Sequence, residues 1–372
     1  MTTVRATGLV KAFGAQRAVD GINLAVESGE LVCLLGPSGC GKTTTLRCIA
    51  GLEIPTAGEI RVGDQVVAGP GVFVPPERRN IGMVFQSYAI WPHMSVFENV
   101  AYGLRLQEME EKALRERVAE VLELVGLTGL EKRMGTDLSG GQQQRVAVAR
   151  SVVIRPEVLL FDEPLSNLDA QLRTRMRGEL RRLQRAVGIT SIYVTHDQEE
   201  AMAISDRIVL MNHGRIEQEG LPFEIRERPR TPFAAGFLGS INWFDGVVAA
   251  RKPGAVMVVI DDAEGLTLTC TTEKDYPVGT PLRGGVRPEQ VRLRPLGDGG
   301  SAASRKGAIR DATYLGTKVE ALVEVGKLTL QAAVPPEEWL MDAAACKGCL
   351  VELDQVRVHL FPQDSPALVE DV

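Results

Sequence analysis

Buried-strand patterns alternate with helical patterns over roughly the first 235 residues of the chain. The candidate strands are short apolar runs between polar turns: Leu31–Leu35 (LVCLL), 158–161 (VLLF), 191–194 (SIYV) and 208–211 (IVLM). The last run ends in Asn212-His213-Gly214, which predicts a hairpin turn. Because strands that alternate with helices usually form a parallel sheet, we expect an α/β domain with a largely parallel sheet.

Two helical patterns with no strand between them interrupt this alternation. Leu and Val recur at helical spacing from 108 to 126, and a second helical pattern covers 139–154. Ser139 and Gln142 have the spacing of a capping box, in which each side chain binds the other residue's backbone N–H. The pattern predicts a helical subdomain at about residues 87–157, inserted into the α/β core.

The pattern changes again after Ile225. Residues 226–240 contain two prolines and no clear periodicity, which is typical of a connector. Short alternating stretches such as 256–260 (VMVVI) and 319–325 (VEALVEV) follow, separated by Gly, Pro and Asp. They predict a mostly β domain, either a small barrel or a sandwich. The predicted domains are therefore 1–238 and 239–372.

Composition removes several classes of protein. With 44% hydrophobic and 24% charged residues, the chain is neither disordered nor fibrous. A net charge of −6 argues against nucleic acid as a partner, since nucleic-acid binding needs a basic face. No apolar run approaches the ~20 residues of a membrane span, and the first residues lack the apolar segment of a secretory signal. The six scattered cysteines are typical of a reduced, cytosolic protein.

Residues 36–43 (GPSGCGKT) follow a predicted strand, open a predicted helix and fit the P-loop pattern GxxxxGK[ST]. The glycines let backbone N–H groups turn toward phosphate oxygens, and the helix N-terminus adds a favourable dipole. Lys42 can reach the terminal phosphates, and the Thr43 hydroxyl can ligate Mg²⁺. The residues predicted to bind nucleotide here are Gly36, Pro37, Ser38, Gly39, Cys40, Gly41, Lys42, Thr43 and Thr44.

Two adjacent carboxylates, Asp162 and Glu163, stand just past the predicted strand 158–161. In a parallel sheet this position faces the crevice where ligands bind. One carboxylate would hold Mg²⁺, and the other would polarise the attacking water. Ser139, Gly140 and Gly141 open a second helix N-terminus, which is either an ordinary cap or a second anion cradle without a lysine.

Residues 138–142 read LSGGQ, and together with the P-loop they make the chain resemble the ATPases of ABC transporters over about residues 4–240. Gln86, in MVFQS, resembles the Q-loop glutamine near the γ-phosphate and metal. The segment 166–169 (SNLD) resembles the D-loop, and His196 resembles the switch histidine. Phe13 stands where the family places an aromatic ring against adenine.

The resemblance implies a set of site residues. Those implied to act in catalysis are Lys42, Gln86, Glu163 and His196. The implied metal ligands are Thr43, Gln86 and Asp162. The implied nucleotide contacts outside the P-loop are Phe13, Gln86, Ser139, Gly140, Gly141, Gln142, Asp162, Asp169 and His196.

The resemblance also implies partners. Two copies of the chain would sandwich two ATP molecules, each between the P-loop of one chain and residues 139–141 of the other. The stretches 194–220, 241–246, 285–293 and 314–325 are similar to bacterial importer ATPases that end in an OB-like β-barrel. Such a chain would hydrolyse ATP with Mg²⁺ as a peripheral protein on the cytoplasmic face of the inner membrane. It would bind integral membrane permease subunits and act indirectly with an extracytoplasmic solute-binding protein.

Two points of the resemblance concern specificity. The apolar and aromatic residues Tyr88, Ile90, Trp91 and Phe97, next to Gln86, indicate either core packing or a groove for a cytoplasmic permease helix. The solute is interpreted as a polyamine or ferric iron, with a sugar, glycerol phosphate or another small solute as the alternative.

Three other classes compete with the importer ATPase. A soluble ABC ATPase that acts on ribosomes or DNA would carry two ATPase units or a long coiled coil, and the sequence has a single P-loop and no long heptad run. A P-loop kinase or GTPase would lack LSGGQ. A non-catalytic binding module would not need Lys42, Asp162, Glu163 and His196 together.

Overall fold

The computed structural model describes residues 2–261, 263, 265–272, 274–294, 304–339, 348–353 and 357–363. The chain divides into two compact units, Met1–Glu227 and Arg228–Val372. The sequence pattern places the domain boundary at residue 238, eleven residues later than this division. Within the described ranges, no helix is both long enough and apolar enough to cross a bilayer.

The first unit contains these elements: β1 (Val4–Phe13), β2 (Gln16–Val26), β3 (Leu31–Leu35), α1 (Lys42–Ala50), β4 (Ala57–Val62), β5 (Gln65–Gly69), β6 (Val72–Phe73), β7 (Ile81–Val84), α2 (Val96–Leu106), α3 (Glu111–Leu124), α4 (Gly140–Val153), β8 (Val158–Asp162), α5 (Ala170–Val187), β9 (Thr190–Thr195), α6 (Gln198–Ile204), β10 (Arg207–Asn212), β11 (Arg215–Gly220) and α7 (Pro222–Glu227).

A mixed sheet with the order β11-β10-β3-β9-β8-β7 forms the centre of this unit. Strands β10, β3, β9, β8 and β7 run parallel to one another, which confirms the predicted α/β core. Strands β10 and β11 form the predicted hairpin through His213 and Gly214, both of which have positive φ.

A second sheet, β2-β1-β4-β5-β6, is antiparallel, and the sequence pattern did not predict it. Its strands alternate buried and exposed residues, as in β1 at Val4 and Ala6, because only one face meets the core. The apolar core lies between this sheet, the central sheet and α1.

Helices α2, α3 and α4 form the inserted subdomain around an apolar core of their own. The predicted capping box at the start of α4 is present, since Gln142 N–H donates to Ser139 Oγ and Ser139 N–H donates to Gln142 Oε1. Helix α2 is an addition to the prediction. Its own capping box, Ser95 with Glu98, is a signal that the sequence carries.

The second unit contains α8 (Pro232–Phe237), β12 (Asn242–Lys252), β13 (Ala255–Ile260), β14 (Thr267–Thr271), β15 (Pro281–Val286), β16 (Arg292–Arg294), β17 (Arg305–Tyr314), β18 (Val319–Val325), β19 (Leu328–Val334), β20 (Cys349–Glu352) and β21 (His359–Pro362). In its described residues, two five-stranded sheets, β14-β13-β12-β15-β21 and β16-β20-β17-β18-β19, share one apolar core. The predicted mostly β second domain is confirmed.

Candidate active site

Four neighbouring parallel strands of the central sheet end at the candidate site. Their order is β3-β9-β8-β7, and each is followed by a residue singled out in the sequence. The P-loop follows β3, His196 follows β9, Glu163 follows β8, and Gln86 lies two residues after β7. Because parallel strands have their carboxyl ends at the same edge, these side chains converge although 160 residues separate the first from the last.

The P-loop is held in a conformation that only glycine fits at two positions. Gly36 has φ 154°, and a Cβ there would lie 2.3 Å from the carbonyl oxygen of Met211. Gly41 has φ 104°, and a Cβ there would lie 2.3 Å from the carbonyl oxygen of Ala18. The loop is therefore pressed against the backbone behind it, with Ser38 and Gly39 exposed.

Lys42 and Thr43 begin α1 directly after this loop. The Lys42 side chain is buried and its ammonium donates to the carbonyl oxygens of Gly36 (2.7 Å) and Pro37 (2.8 Å). The Cys40 Sγ lies 3.7 Å from the same ammonium, while burial raises the pKa of the Cys40 thiol. Thus Lys42 is a buried cation held by loop carbonyls, ready to bind an anion that enters the loop.

Asp162 lies beside the first turn of α1. Thr43 Oγ1 donates to Asp162 Oδ1 at 3.1 Å, and Asp162 is 6% exposed. Burial raises the pKa of this carboxyl, while the Thr43 hydrogen bond and the charge of Arg47 act in the opposite direction. A buried carboxylate without a cation against it is costly, so the site favours a positive ion at these oxygens.

Glu163 takes an unusual backbone conformation, with φ 45° for a residue other than glycine. Its N–H donates to the carbonyl of Val194 on β9 (3.1 Å), which fixes the turn against the next strand. As a result its Oε2 lies 3.1 Å from Nδ1 of His196. The strained turn brings together a carboxylate and an imidazole from two different strands, and such strain is common at functional sites.

Gln86 joins the cluster through residues 166 and 167. Its Nε2 lies 3.3 Å from Ser166 Oγ, which donates to the carbonyl of Glu163 at 2.9 Å. Asn167 Nδ2 donates to the backbone carbonyl of Gln86 at 2.9 Å. Ser166 and Asn167 are not among the predicted site residues, although both belong to the segment 166–169 (SNLD) that resembles the D-loop.

The remaining predicted residues whose side chains make a hydrogen bond or a ring contact make it with a residue two or three positions away in the sequence. The Asp169 carboxylate caps α5 by accepting from Leu172 N–H (2.9 Å), and the Gln142 amide is turned back onto Ser139. Thr44 is half-buried in the first turn of α1. Phe13 is 52% exposed at the end of β1, with the Lys11 ammonium 4.7 Å from its ring centre. The ligand roles of all these residues stay predictions.

The groove interpretation of the residues after Gln86 needs a correction. Tyr88 is only 6% exposed, so it packs inside the first unit and presents no surface to a partner. Trp91 stacks on Tyr102, with ring centres 4.6 Å apart, and both rings are partly exposed. Of the four residues named from the sequence, Ile90, Trp91 and Phe97 reach the surface in part.

Comparison with known proteins identifies this architecture. Residues 19–166 match the ABC transporter family, and residues 284–360 match the TOBE domain family. A trehalose/maltose import ATP-binding protein, MalK of Thermococcus litoralis, is 54% identical over 252 residues, which are 67% of this chain and 68% of that protein. The chain belongs to the ATP-binding subunits of ABC importers.

Other relatives of this family are similar over more of the chain. The spermidine/putrescine import protein PotA of Acidothermus cellulolyticus is 49% identical over 82% of this chain and 78% of that protein. The Fe(3+) ions import protein FbpC 1 of Rhizobium meliloti is 47% identical over 89% of this chain and 90% of that protein. The importer ATPase function predicted from the sequence is thus confirmed, and ATP is its nucleotide.

Solved structures of ABC ATPases resemble the fold of this chain. The chain is similar to cbiO1 from Clostridium perfringens, part of the ABC transporter complex cbiONQ, with a TM-score of 0.56 and 30% identity over 60% of this chain and 89% of that chain. It is also similar to a dimeric ATP-binding cassette in a post-hydrolysis state bound to ADP and Pi. There the TM-score is 0.52 and the identity 31%, over 59% of this chain and 98% of that chain.

Proposed function

We propose that this importer ATPase hydrolyses Mg-ATP as one half of a homodimer, and that the cycle drives uptake through separate permease subunits. The observation that carries the proposal is the convergence of Lys42, Asp162, Glu163 and His196 at one edge of the central sheet. Together these side chains provide a cation for phosphate, oxygen ligands for a metal ion, and a base with an oriented imidazole.

The donor set suits Mg²⁺. The Thr43 hydroxyl and the Asp162 carboxylate lie 3.1 Å apart, and Mg²⁺ is usually held by one or two carboxylates together with substrate phosphates. Among the described residues, no cluster of three His, Cys, Asp or Glu side chains could hold a metal by itself. We therefore assign Thr43 and Asp162 as ligands and place Gln86 beside them. When bound, the ion neutralises charge on the phosphates.

Each residue then has a separate part in hydrolysis. Lys42 binds the terminal phosphates, and the P-loop N–H groups orient them. Glu163 accepts the proton of the attacking water as general base. His196, held by the Glu163 carboxylate, contacts the γ-phosphate and keeps the base in position.

The second copy of the chain would complete each site. The capping box occupies the N–H groups of Ser139 and Gln142. The N–H groups of Gly140 and Gly141, in the first turn of α4, have no carbonyl within their own helix to bind and so offer donors to an anion. This end of α4 packs closely against Leu168 and the first turn of α5. A Cβ on Gly140 would lie 3.2 Å from the Leu168 side chain, and one on Gly141 would lie 3.3 Å from the Leu172 side chain. We place the γ-phosphate bound by the partner chain at Ser139, Gly140 and Gly141.

The location of the protein and the transported solute are also proposed. The chain would act on the cytoplasmic face of the inner membrane, bound to permease subunits and served by an extracytoplasmic solute-binding protein. The likeness to the spermidine/putrescine and Fe(3+) import proteins supports a polyamine or ferric iron as the solute. Uptake assays of this chain together with its permease and solute-binding protein would decide between them and a sugar.

Phosphate release by the purified full chain tests the core of the proposal. We expect turnover with ATP that needs Mg²⁺, stops on chelation and is lost in Lys42→Ala. Turnover that Lys42→Ala retains would contradict the assigned site. Affinity capture from a membrane extract tests the partners: recovery with an integral membrane permease is expected, and recovery with ribosomes instead would contradict the importer assignment.

A further inference from the structure

The loop that carries Gln86 contains two successive strained residues. We call residues 85–91 the Gln86 loop. Within it, Tyr88 has φ 61° and Ala89 has φ 48°, both in the left-handed region that disfavours residues other than glycine and asparagine. The Ala89 side chain is exposed and gains no packing there. Contacts from elsewhere in the fold must therefore hold the two residues in this conformation.

Arg150, near the end of α4, supplies those contacts. Its Nη1 donates to the Ala89 carbonyl at 2.6 Å, and its Nη2 donates to the Tyr88 carbonyl at 2.8 Å. The guanidinium also lies over the Trp91 ring, 4.7 Å from the ring centre. In the described residues the partners of the Arg150 guanidinium are these two backbone carbonyls and the Trp91 ring, which stabilise its charge, while burial lowers its pKa.

The same helix also holds the start of this segment. Ser151 Oγ donates to the Met83 carbonyl at 2.9 Å, three residues before Gln86. Thus α4, whose first turn is the LSGGQ segment, binds the chain on both sides of Gln86. The Gln86 carbonyl itself is held by Asn167.

We propose that Arg150 is a positioning residue for the ATPase reaction: it holds the strained Gln86 loop and so fixes Gln86 relative to Glu163 and the metal ligands. The inference rests on the proposed function of Gln86. A positioning role of Arg150 can be told apart from a purely stabilising role by the effect of a second substitution. If Arg150 acts by holding left-handed residues, a glycine at position 89, which adopts that conformation freely, should replace part of its effect.

The experiment compares four full-length proteins: the parent chain, Arg150→Met, Ala89→Gly, and the double variant. Arg117→Met is the matched control, because Arg117 also donates to carbonyls of α4, at Val153 (3.1 Å) and Val152 (3.3 Å). Its other hydrogen-bond partner in the described residues is Glu120, and none of these contacts is to the Gln86 loop. The measurements are kcat and KM for Mg-ATP, the melting temperature, and hydrogen exchange of the peptide that covers residues 85–91.

We expect Arg150→Met to lower kcat by about 10- to 100-fold, since a misplacement of about 1 Å can cost that much. KM should change little because the P-loop is untouched. Adding Ala89→Gly should restore kcat by about fivefold, the ratio by which the left-handed region disfavours alanine. Exchange of the loop peptide should quicken in Arg150→Met and slow again in the double variant. Arg117→Met should keep the parental kcat.

Two results would overturn the inference: a kcat of Arg150→Met within twofold of the parent, or a double variant that recovers neither kcat nor slow exchange. If Arg150→Met does not fold, Arg150→Lys, which keeps the charge but not the fork, carries the same comparison with Ala89→Gly. Failure of the proposed function is a separate outcome, because the parent would then lack turnover. The hydrogen-exchange comparison still decides whether Arg150 holds the loop.

Discussion

Replacing Glu163 by glutamine removes one chemical ability and leaves the geometry of the site in place. The Glu163 carboxylate lies 3.1 Å from Nδ1 of His196 and is about one-fifth exposed. The glutamine side chain has the same shape, and its carbonyl oxygen can still accept from the imidazole. It cannot take a proton from water, so Glu163→Gln isolates the general-base role.

The expected effect falls on the chemical step. Loss of general-base assistance typically costs about 10²- to 10⁴-fold in rate, which is roughly 3–5 kcal/mol of activation free energy at about 1.4 kcal/mol per factor of ten. Nucleotide binding should persist, because Lys42, Thr43 and the P-loop backbone contact neither side-chain oxygen of Glu163 in the described residues. The variant should therefore accumulate with ATP bound.

Three measurements separate these steps. Phosphate release reports turnover, a fluorescent ATP analogue reports binding, and size-exclusion chromatography with Mg-ATP reports ATP-bound dimers. Lys42→Ala is the contrast, since it should lose binding and dimerisation together. If the C-terminal unit already holds two chains together, a distance probe between Lys42-proximal and Ser139-proximal labels on different chains replaces the mass measurement.

A Glu163→Gln variant that hydrolyses ATP at nearly the parental rate would refute the assignment of the base. His196 would then be the next candidate, because its Nδ1 lies 3.1 Å from the Glu163 carboxylate. A variant that fails to bind ATP would instead show that Glu163 holds the loop or the metal.

Three further predictions test other parts of the structure. Burial raises the pKa of Asp162, so its charged form destabilises the fold at neutral pH. Asp162→Asn should therefore have a higher melting temperature than the parent at pH 7, and the difference should shrink as the pH falls. The same variant should lose Mg²⁺-dependent turnover. Burial and nearby arginines lower the pKa of His359 from 6.5 to about 4, so the folded state disfavours protonated His359. As the pH falls from 6.5 to 4, this group should therefore reduce the free energy of unfolding by about 3 kcal/mol. Calorimetry should detect this contribution in the parent and in His93→Gln but not in His359→Leu. Gly36→Ala should abolish ATP binding, because its Cβ would lie 2.3 Å from a backbone carbonyl; the control Gly178→Ala, which meets open space within α5, should bind ATP normally and melt at the same temperature or higher.

The sequence by itself determined which residues are candidates for the site. The P-loop can be predicted from Gly36 to Thr43 because its spacing, the strand before it and the helix after it are all local features. Asp162 and Glu163 could be placed for a similar reason, since a buried strand ends at them. The alternation of strands and helices predicted the parallel order around them, and the short alternating strands predicted the β-rich second domain.

Only the tertiary structure decided which strands pair and which distant residues stabilise the strained turns. The antiparallel sheet is completed by β1 pairing with β4, which places Val4 opposite Val62, and no local pattern records that these two strands are neighbours. The strained turns at Glu163, Tyr88 and Ala89 cannot be read from residue types that disfavour positive φ. They persist because Val194 and Arg150, distant in sequence, supply hydrogen bonds that only the folded chain brings within reach.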